Sequence, residues 1–203
     1  MTYMEAGILE EYQRLGIGNY RGNVASEIII AVEKYIARLS KMKKTGLGLY
    51  FLGPNGTGKT GLMCEVLKGV CDKGYTAIFS TLSGLADKFA EGWKSDKAKK
   101  EFVTFVRSID FLGIDDIGKE YRGKTEFIIT VFDRVLRYRS MRCRPTLITS
   151  NIGPEKIRLV YGDSIASLLY GKFLPLRLIG EDFRKALQTE LQGELFGENN
   201  ETT

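Results

Sequence analysis

The sequence predicts an α/β fold: a parallel sheet covered by helices on both faces. Three observations predict it. Short apolar runs of strand length alternate along the chain with helical stretches of roughly ten or more residues. A glycine-rich loop, Gly53-Pro-Asn-Gly-Thr-Gly-Lys59-Thr60, stands between the first of these runs and the helix after it. Two adjacent acids, Asp115 and Asp116, close a later apolar run, at the end of a strand where open α/β sheets bind their ligands. The chain of 203 residues is about one domain on the usual scale of roughly 100–200 residues. That length buries a full core without disulfides or a structural metal.

Each element follows from its local pattern. Residues 1–24 hold four glycines and read as a lead-in with one brief helix. Apolar side chains at 28, 29, 32, 35, 36 and 39 recur at helical spacing, so Ile28–Leu39 is an amphipathic helix with Ser26 as its N-cap. The lysines and glycine of KMKKTG end it. GLYFLG is a buried strand, PNGTGKT a loop, and the next helix runs to about Cys71. YTAIFS is a second strand, and Leu82–Trp93 and Lys97–Arg107 are helical. IDFLGID is a third strand, Thr125–Tyr138 a strongly apolar helix, PTLITSN a fourth strand and LPLRLIG a short fifth. The domain is expected over residues 25–188, with a polar, disordered tail over 189–203.

Composition removes whole classes of chemistry. The chain has no histidine, which excludes Ser-His-Asp and Cys-His nucleophile systems, His-ligated zinc and an imidazole base. Its three cysteines, Cys64, Cys71 and Cys143, form no CxxC pair, so all-cysteine zinc and thioredoxin-type motifs are excluded too. Three sparse thiols fit the reducing cytoplasm, and no apolar run reaches the roughly 18 residues of a membrane span. The expectation is therefore a cytoplasmic protein with no membrane contact. Lys+Arg 30 against Asp+Glu 25 leaves a net charge of +5, a mild tilt toward anionic partners.

The loop fits G-x-x-x-x-G-K-[ST] in the context the motif requires, after an apolar strand and before a helix. Residues Gly53, Pro54, Asn55, Gly56, Thr57, Gly58, Lys59, Thr60 and Gly61 would close backbone N–H groups around phosphate oxygens at a helix N-terminus. Lys59 reaches the β- and γ-phosphates and the Thr60 hydroxyl ligates Mg²⁺. The metal needs a second holder on a neighbouring strand; Asp115 supplies it, mostly through the ion's water shell, and Asp116 polarises the attacking water. Thr149-Ser150-Asn151 ends the fourth strand. Asparagine there is commonly a turn residue, but as the third member of this set Asn151 orients the same water from the opposite side.

In order and spacing, GPNGTGKT, FLGIDDIGKE, RPTLITSN and GEDFRK resemble the AAA+ ATPases of the DnaC/DnaI helicase-loader and IstB transposition-helper group. The resemblance covers roughly residues 4–188 and includes the lead-in MEAGILEEY…GIGNYRGN. It implies a P-loop NTPase with a five-stranded parallel sheet of order 5-1-4-3-2, ATP/ADP and Mg²⁺ as ligands, Asn151 as first sensor beside the γ-phosphate, Arg184 as a second sensor in cis and Glu120 as the acid just past the metal aspartate. It further implies a replicative hexameric helicase and single-stranded DNA as partners, and a homo-oligomer in an arc or spiral.

Two departures qualify what the resemblance implies. Where the family carries S-R-L, whose arginine enters the neighbouring subunit's site, this chain has Ser167-Leu168-Leu169. Lys172, one turn on, is a point charge without the planar fork. Either the oligomer uses another cation, with Lys172 a candidate substitute, or hydrolysis between subunits is weak; the expectation is slow intrinsic hydrolysis and a weakened oligomer. The family's loaders also carry a helicase-binding domain ahead of this core, whereas here the core begins near residue 25; the expectation is a compact loader or a helper of another kind.

Two basic stretches are candidate DNA contacts. Lys94, Lys97, Lys99 and Lys100 stand beside Trp93, and Arg137 and Arg139 belong to a run that also holds Arg134, Arg142 and Arg144. Cations neutralise phosphates and an aromatic stacks on an unpaired base; the plainer reading of either stretch is a solvated helix face. Competing functions are an IstB-like ATPase on duplex DNA, a P-loop kinase, for which the chain after Asn151 is short, and a weakly hydrolysing protein that captures a host loader or helicase. The last draws on Leu168. Of Tyr20, Tyr35 and Tyr50, any one is a candidate to flank the adenine.

Overall fold

Five strands form one parallel sheet: β1 (Gly48–Leu52), β2 (Ala77–Thr81), β3 (Phe111–Ile117), β4 (Thr146–Ser150) and β5 (Phe173–Arg177). Their order is β2-β3-β4-β1-β5, the expected arrangement. The computed structural model describes residues 1–20, 24–92, 95–118, 125–180, 182–183, 189 and 192–193. The described helices are α1 (Glu10–Gln13), α2 (Ser26–Ala37), α3 (Leu39–Thr45), α4 (Lys59–Asp72), α5 (Leu82–Gly92), α6 (Asp96–Ser108), α7 (Thr125–Ser140) and α8 (Pro154–Lys172), with a 3-10 turn at Ile17–Tyr20. None of them is long and apolar enough to cross a membrane.

The alternation of strand side chains divides the core in two. On β1, Leu49 and Phe51 face one cluster with α2 and α4, while Tyr50 and Leu52 face the other with α5, α7 and α8. Leu147 and Ile148 of β4 divide in the same way. All five β1 residues are buried, as expected of a central parallel strand flanked by helices. Each fully buried Leu or Phe contributes about 1.5–3 kcal/mol relative to an exposed one.

The lead-in packs into the first cluster through Ala6, Ile8, Tyr20 and Val24. The Phe79 amide donates to the Ala6 carbonyl at 2.7 Å, and the Tyr3 hydroxyl donates to Asp72 Oδ1 at 2.6 Å.

Three local expectations change. The helix expected over 28–39 is two: α2 stops at Ala37, Arg38 leaves helical geometry, and α3 carries KMKKT to a left-handed Gly46. Ser26 is the first helical residue, and the cap position, Ala25, makes no side-chain cap bond. Helix α8, which no local pattern announced, connects β4 to β5, two strands separated in the sheet by β1.

Candidate nucleotide-binding site

The loop after β1 turns into α4 through Gly58, whose φ of +87° is left-handed, and Gly56 has φ +74°. Only glycine adopts these values at little cost. Helix α4 has no side-chain N-cap and no acid in its first turn. Its first amides are thus unclaimed by a cap, and with the positive end of the helix dipole they form an anion site. Lys59 is 7% exposed, and its Nζ donates to the Pro54 carbonyl at 2.6 Å, which holds the ammonium over the loop.

Across the cavity the two acids meet two hydroxyls. Thr60 Oγ1 donates to Asp115 Oδ1 at 2.9 Å, and Thr149 Oγ1 donates to the same oxygen at 2.5 Å. The Asp116 amide donates to Thr149 Oγ1 at 2.8 Å. The register explains the cluster. Ile114 pairs with Ile148 and Ile117 with Ser150, so Asp115 and Asp116 together oppose Thr149 in a β-bulge. The backbone of Asp116 is left-handed, at φ +64°, and the bulge brings both acids to the same cavity. Burial pushes the Asp115 carboxyl above its ordinary range, opposed by hydrogen bonds from Thr149 and Thr60.

The cavity measures about 370 Å³, within the usual range for small-molecule sites. Its lining includes the phosphate cradle: Gly56, Gly58, Lys59 and Thr60 with Asp115 and Asp116. The same cavity is lined by Leu9, Tyr12, Leu15 and Tyr20 from the lead-in and by Phe183. The Tyr20 ring lies against Gly58 and Gly61, and a Cβ on Gly61 would overlap its hydroxyl. That buried hydroxyl has no hydrogen-bond partner among the described residues. It is packed onto the first turn of α4, where only a glycine leaves room for it.

The residues also fit Mg²⁺. Thr60 and Asp115 are hard oxygen donors in mutual contact. Among the described residues no group of three or more His, Cys, Asp or Glu side chains would hold an ion unaided. Mg²⁺ characteristically binds through one or two protein oxygens shared with substrate phosphates.

The remaining candidates are placed as follows. Asn151 follows β4, which lies between β1 and β3, and its side chain is exposed and outside the cavity lining. Glu120, Arg184 and Lys94 lie outside the described residues, as does the side chain of Lys99. The segment leading to Arg184 does reach the loop: the Phe183 amide donates to the Gly56 carbonyl at 3.1 Å. Lys97 and Lys100 are exposed on α6 along an open groove with Thr104 and Phe105. Arg137 is engaged by both Asp133 oxygens, at 2.9 and 2.8 Å, and by Ser164.

Arg139 is a correction. It is 1% exposed and donates to Thr146 Oγ1 and to the carbonyls of Val106, Ile109, Asp110 and Pro145. It ties the ends of α6 and α7 to the sheet and offers DNA nothing. Burial, with Arg144 beside it, pushes the guanidinium down to about 9. The signal was in the spacing: Arg139 continues the buried stripe Phe132, Val135, Leu136 at i+7.

Leu168 is half-buried against the second core cluster and Lys172 is exposed. Of the three candidate tyrosines, Tyr35 donates to the Leu47 carbonyl and Tyr50 to that of Ile152, and Tyr20 lines the cavity, together with Tyr12. Thr149 and the lead-in wall were the site features missed. The first depends on strand register and the second on a tertiary contact.

The sheet order, the glycine loop opening α4 and the acid at the end of β3 define a P-loop NTPase fold of the AAA+ type. No family model matches the chain. It is 26% identical over 114 residues to the replicative helicase loader DnaI of Bacillus subtilis (strain 168), a match covering 56% of this chain and 36% of that protein. The chain thus spans about a third of the length of the curated relative it matches. The crystal structure of the DnaC helicase loader superposes with TM-score 0.74 at 18% identity, covering 84% of this chain and 100% of that one. The replication initiator DnaA bound to AMPPCP and single-stranded DNA gives 0.69 at 20% identity, covering 92% and 56% respectively. The crystal structure of DnaI gives 0.66 at 21% identity, covering 84% and 94%. The resemblance read from the motifs, to the DnaC/DnaI-like AAA+ ATPases, is borne out by these likenesses.

Proposed function

We propose that this chain is a Mg-ATP-dependent ATPase that helps place a replicative helicase on single-stranded DNA. The observation that carries the reading is the hydrogen-bonded set Thr60–Asp115–Thr149 facing an uncapped helix N-terminus. The similarity to the DnaI loader supports the biological role.

The amides of residues 56–60 and Lys59 bind the β- and γ-phosphates. Thr60 and Asp115 hold Mg²⁺, which supplies charge neutralisation on the phosphates when bound. Asp116 orients the attacking water, and the roles of Asn151 and Arg184 as sensors and of Glu120 as a further acid rest on the family resemblance alone. The wall of Tyr20 and Phe183 takes the nucleoside half. Lys97 and Lys100, with Lys94 and Lys99, contact DNA phosphates. Leu168 in place of a trans arginine makes turnover slow.

The test is nucleotide binding and phosphate release, with and without single-stranded DNA, alongside capture of a hexameric helicase. Lys59→Ala is expected to abolish productive ATP binding. Asp116→Ala should keep binding and lose turnover; normal hydrolysis in that variant removes its assigned role. Leu168 also favours a second reading, a weakly hydrolysing protein that captures a host loader or helicase, which helicase capture independent of nucleotide would select. A preference for duplex DNA would instead select the transposition-helper reading.

A further inference from the structure

Lys68 lies on α4 and is 6% exposed. Its ammonium donates to the Tyr12 carbonyl at 2.9 Å and to the Leu15 carbonyl, and pairs with Glu65 Oε1 at 2.6 Å. Two of its hydrogen bonds thus go to the backbone of the lead-in, and Glu65 balances its charge. Gly61, Glu65 and Lys68 fall at i, i+4 and i+7, so they share one face of α4. The lead-in lies along that face: Tyr20 covers Gly61 at one end, and Tyr12 and Leu15 sit on Lys68 at the other. Between them the strap is stiffened locally. The Gly16 amide donates to Asn19 Oδ1 at 2.7 Å and the Asn19 amide to the Gly16 carbonyl at 2.9 Å.

We propose that Lys68 is a positioning residue for the nucleoside half of the ligand: by gripping the carbonyls of Tyr12 and Leu15 it holds residues 9–20 as a wall over the cavity that Leu9, Tyr12, Leu15 and Tyr20 line. This rests on the nucleotide reading above. The phosphate cradle is built from the loop and β3, and its hydrogen bonds, Lys59 to Pro54 and Thr60 to Asp115, use no residue of the strap. A buried carbonyl or carboxylate that loses its charged donor bears the full cost of desolvation, so removing the ammonium releases the strap while the cradle remains.

Calorimetric titration of the full chain with Mg-ATP and with Mg-bound inorganic triphosphate separates the two halves. If wild type binds neither, the nucleotide reading itself falls; once both bind, only the role of Lys68 is at issue. Lys68→Met is expected to weaken ATP about tenfold and leave triphosphate within about twofold. Parallel losses for the two ligands, or undiminished ATP binding, overturn the proposal. The double variant Glu65→Leu/Lys68→Met removes the stranded carboxylate and is expected to give the same pattern if the single variant does not fold.

A readout in wild type needs no substitution. Arg14, 79% exposed on the strap, should be protected from trypsin by Mg-ATP and not by triphosphate. Cleavage there indifferent to ATP overturns the proposal as well.

Discussion

The hydroxyl of Thr149 serves both acids at once, donating to the Asp115 carboxylate and accepting from the Asp116 amide. In a regular strand successive side chains point to opposite faces, and one of the two aspartates would turn away from the ligand. The bulge prevents this, and Thr149 occupies the single position opposite it. Thr149→Val keeps the shape and removes the hydroxyl, leaving the Asp116 amide without that acceptor, at a cost of about 1–3 kcal/mol. The expected result is a Mg²⁺-dependent part of ATP affinity reduced about tenfold, with Mg²⁺-free binding unchanged and Thr149→Ser restoring the wild-type value. Nucleotide titrations with and without Mg²⁺ measure it; equal behaviour of the Val and Ser variants would remove the positioning role. The sequence made Asp115 and Asp116 legible as acids at a strand end because that needs only one segment. Thr149 stood in the same passage as Asn151, yet its contacts depend on the register between two strands far apart in the chain. Arg139 was misread for a different reason: counting cations along the chain ignores helical phase, which puts it inside and Arg137 outside.

Among the elements, α4 was legible because a sequence motif and a helical pattern coincide there, and α8 was not. Helix α8 begins with Pro154 at its first turn but is interrupted at Gly162, where φ is +83°, and the two halves are spanned by the Arg158–Asp163 pair at 3.0 Å. A glycine in that position reads locally as an ending, and only packing on the second core cluster carries the helix on. Just before the kink, the Tyr161 hydroxyl accepts from the Gly118 amide at 2.7 Å, and its ring packs on Phe132 with centroids 5.2 Å apart. This joins α8 to the segment directly after the acids of β3. Tyr161→Phe keeps the ring and removes the acceptor, so it should cost about 0.5–1.5 kcal/mol, read as a lower urea midpoint at unchanged slope. Tyr161→Ala removes the packing as well and should cost about 3–5 kcal/mol. Comparable midpoints for the two variants would show that the hydroxyl, rather than the ring, supplies the joint.

At the scale of the whole molecule, the net charge of +5 says less than where the cations are engaged. Arg139 is consumed in the core, Arg144 and Lys43 share Asp110 at 2.5 and 2.8 Å, and Arg137 is held by Asp133. The α5–α6 flank differs. Lys97 and Lys100 are exposed there, Lys88 stands 4.9 Å from the Phe105 ring centroid, and Phe89 packs on Phe102 with centroids 5.2 Å apart. Cations beside aromatic rings make a surface suited to an unpaired strand, where charge tracks the backbone and rings stack on bases. If Lys97 and Lys100 each neutralise one phosphate, the slope of log K against log salt for single-stranded DNA should fall by about 0.7 per lysine, or about 1.4 in Lys97→Ala/Lys100→Ala. Binding measured by fluorescence anisotropy over a salt series gives that slope directly. Arg137→Ala should leave it unchanged, because that guanidinium is already neutralised on the protein. A slope indifferent to the lysine pair but reduced by Arg137→Ala would move the DNA path from α6 to α7, and with it the face on which the strand is carried.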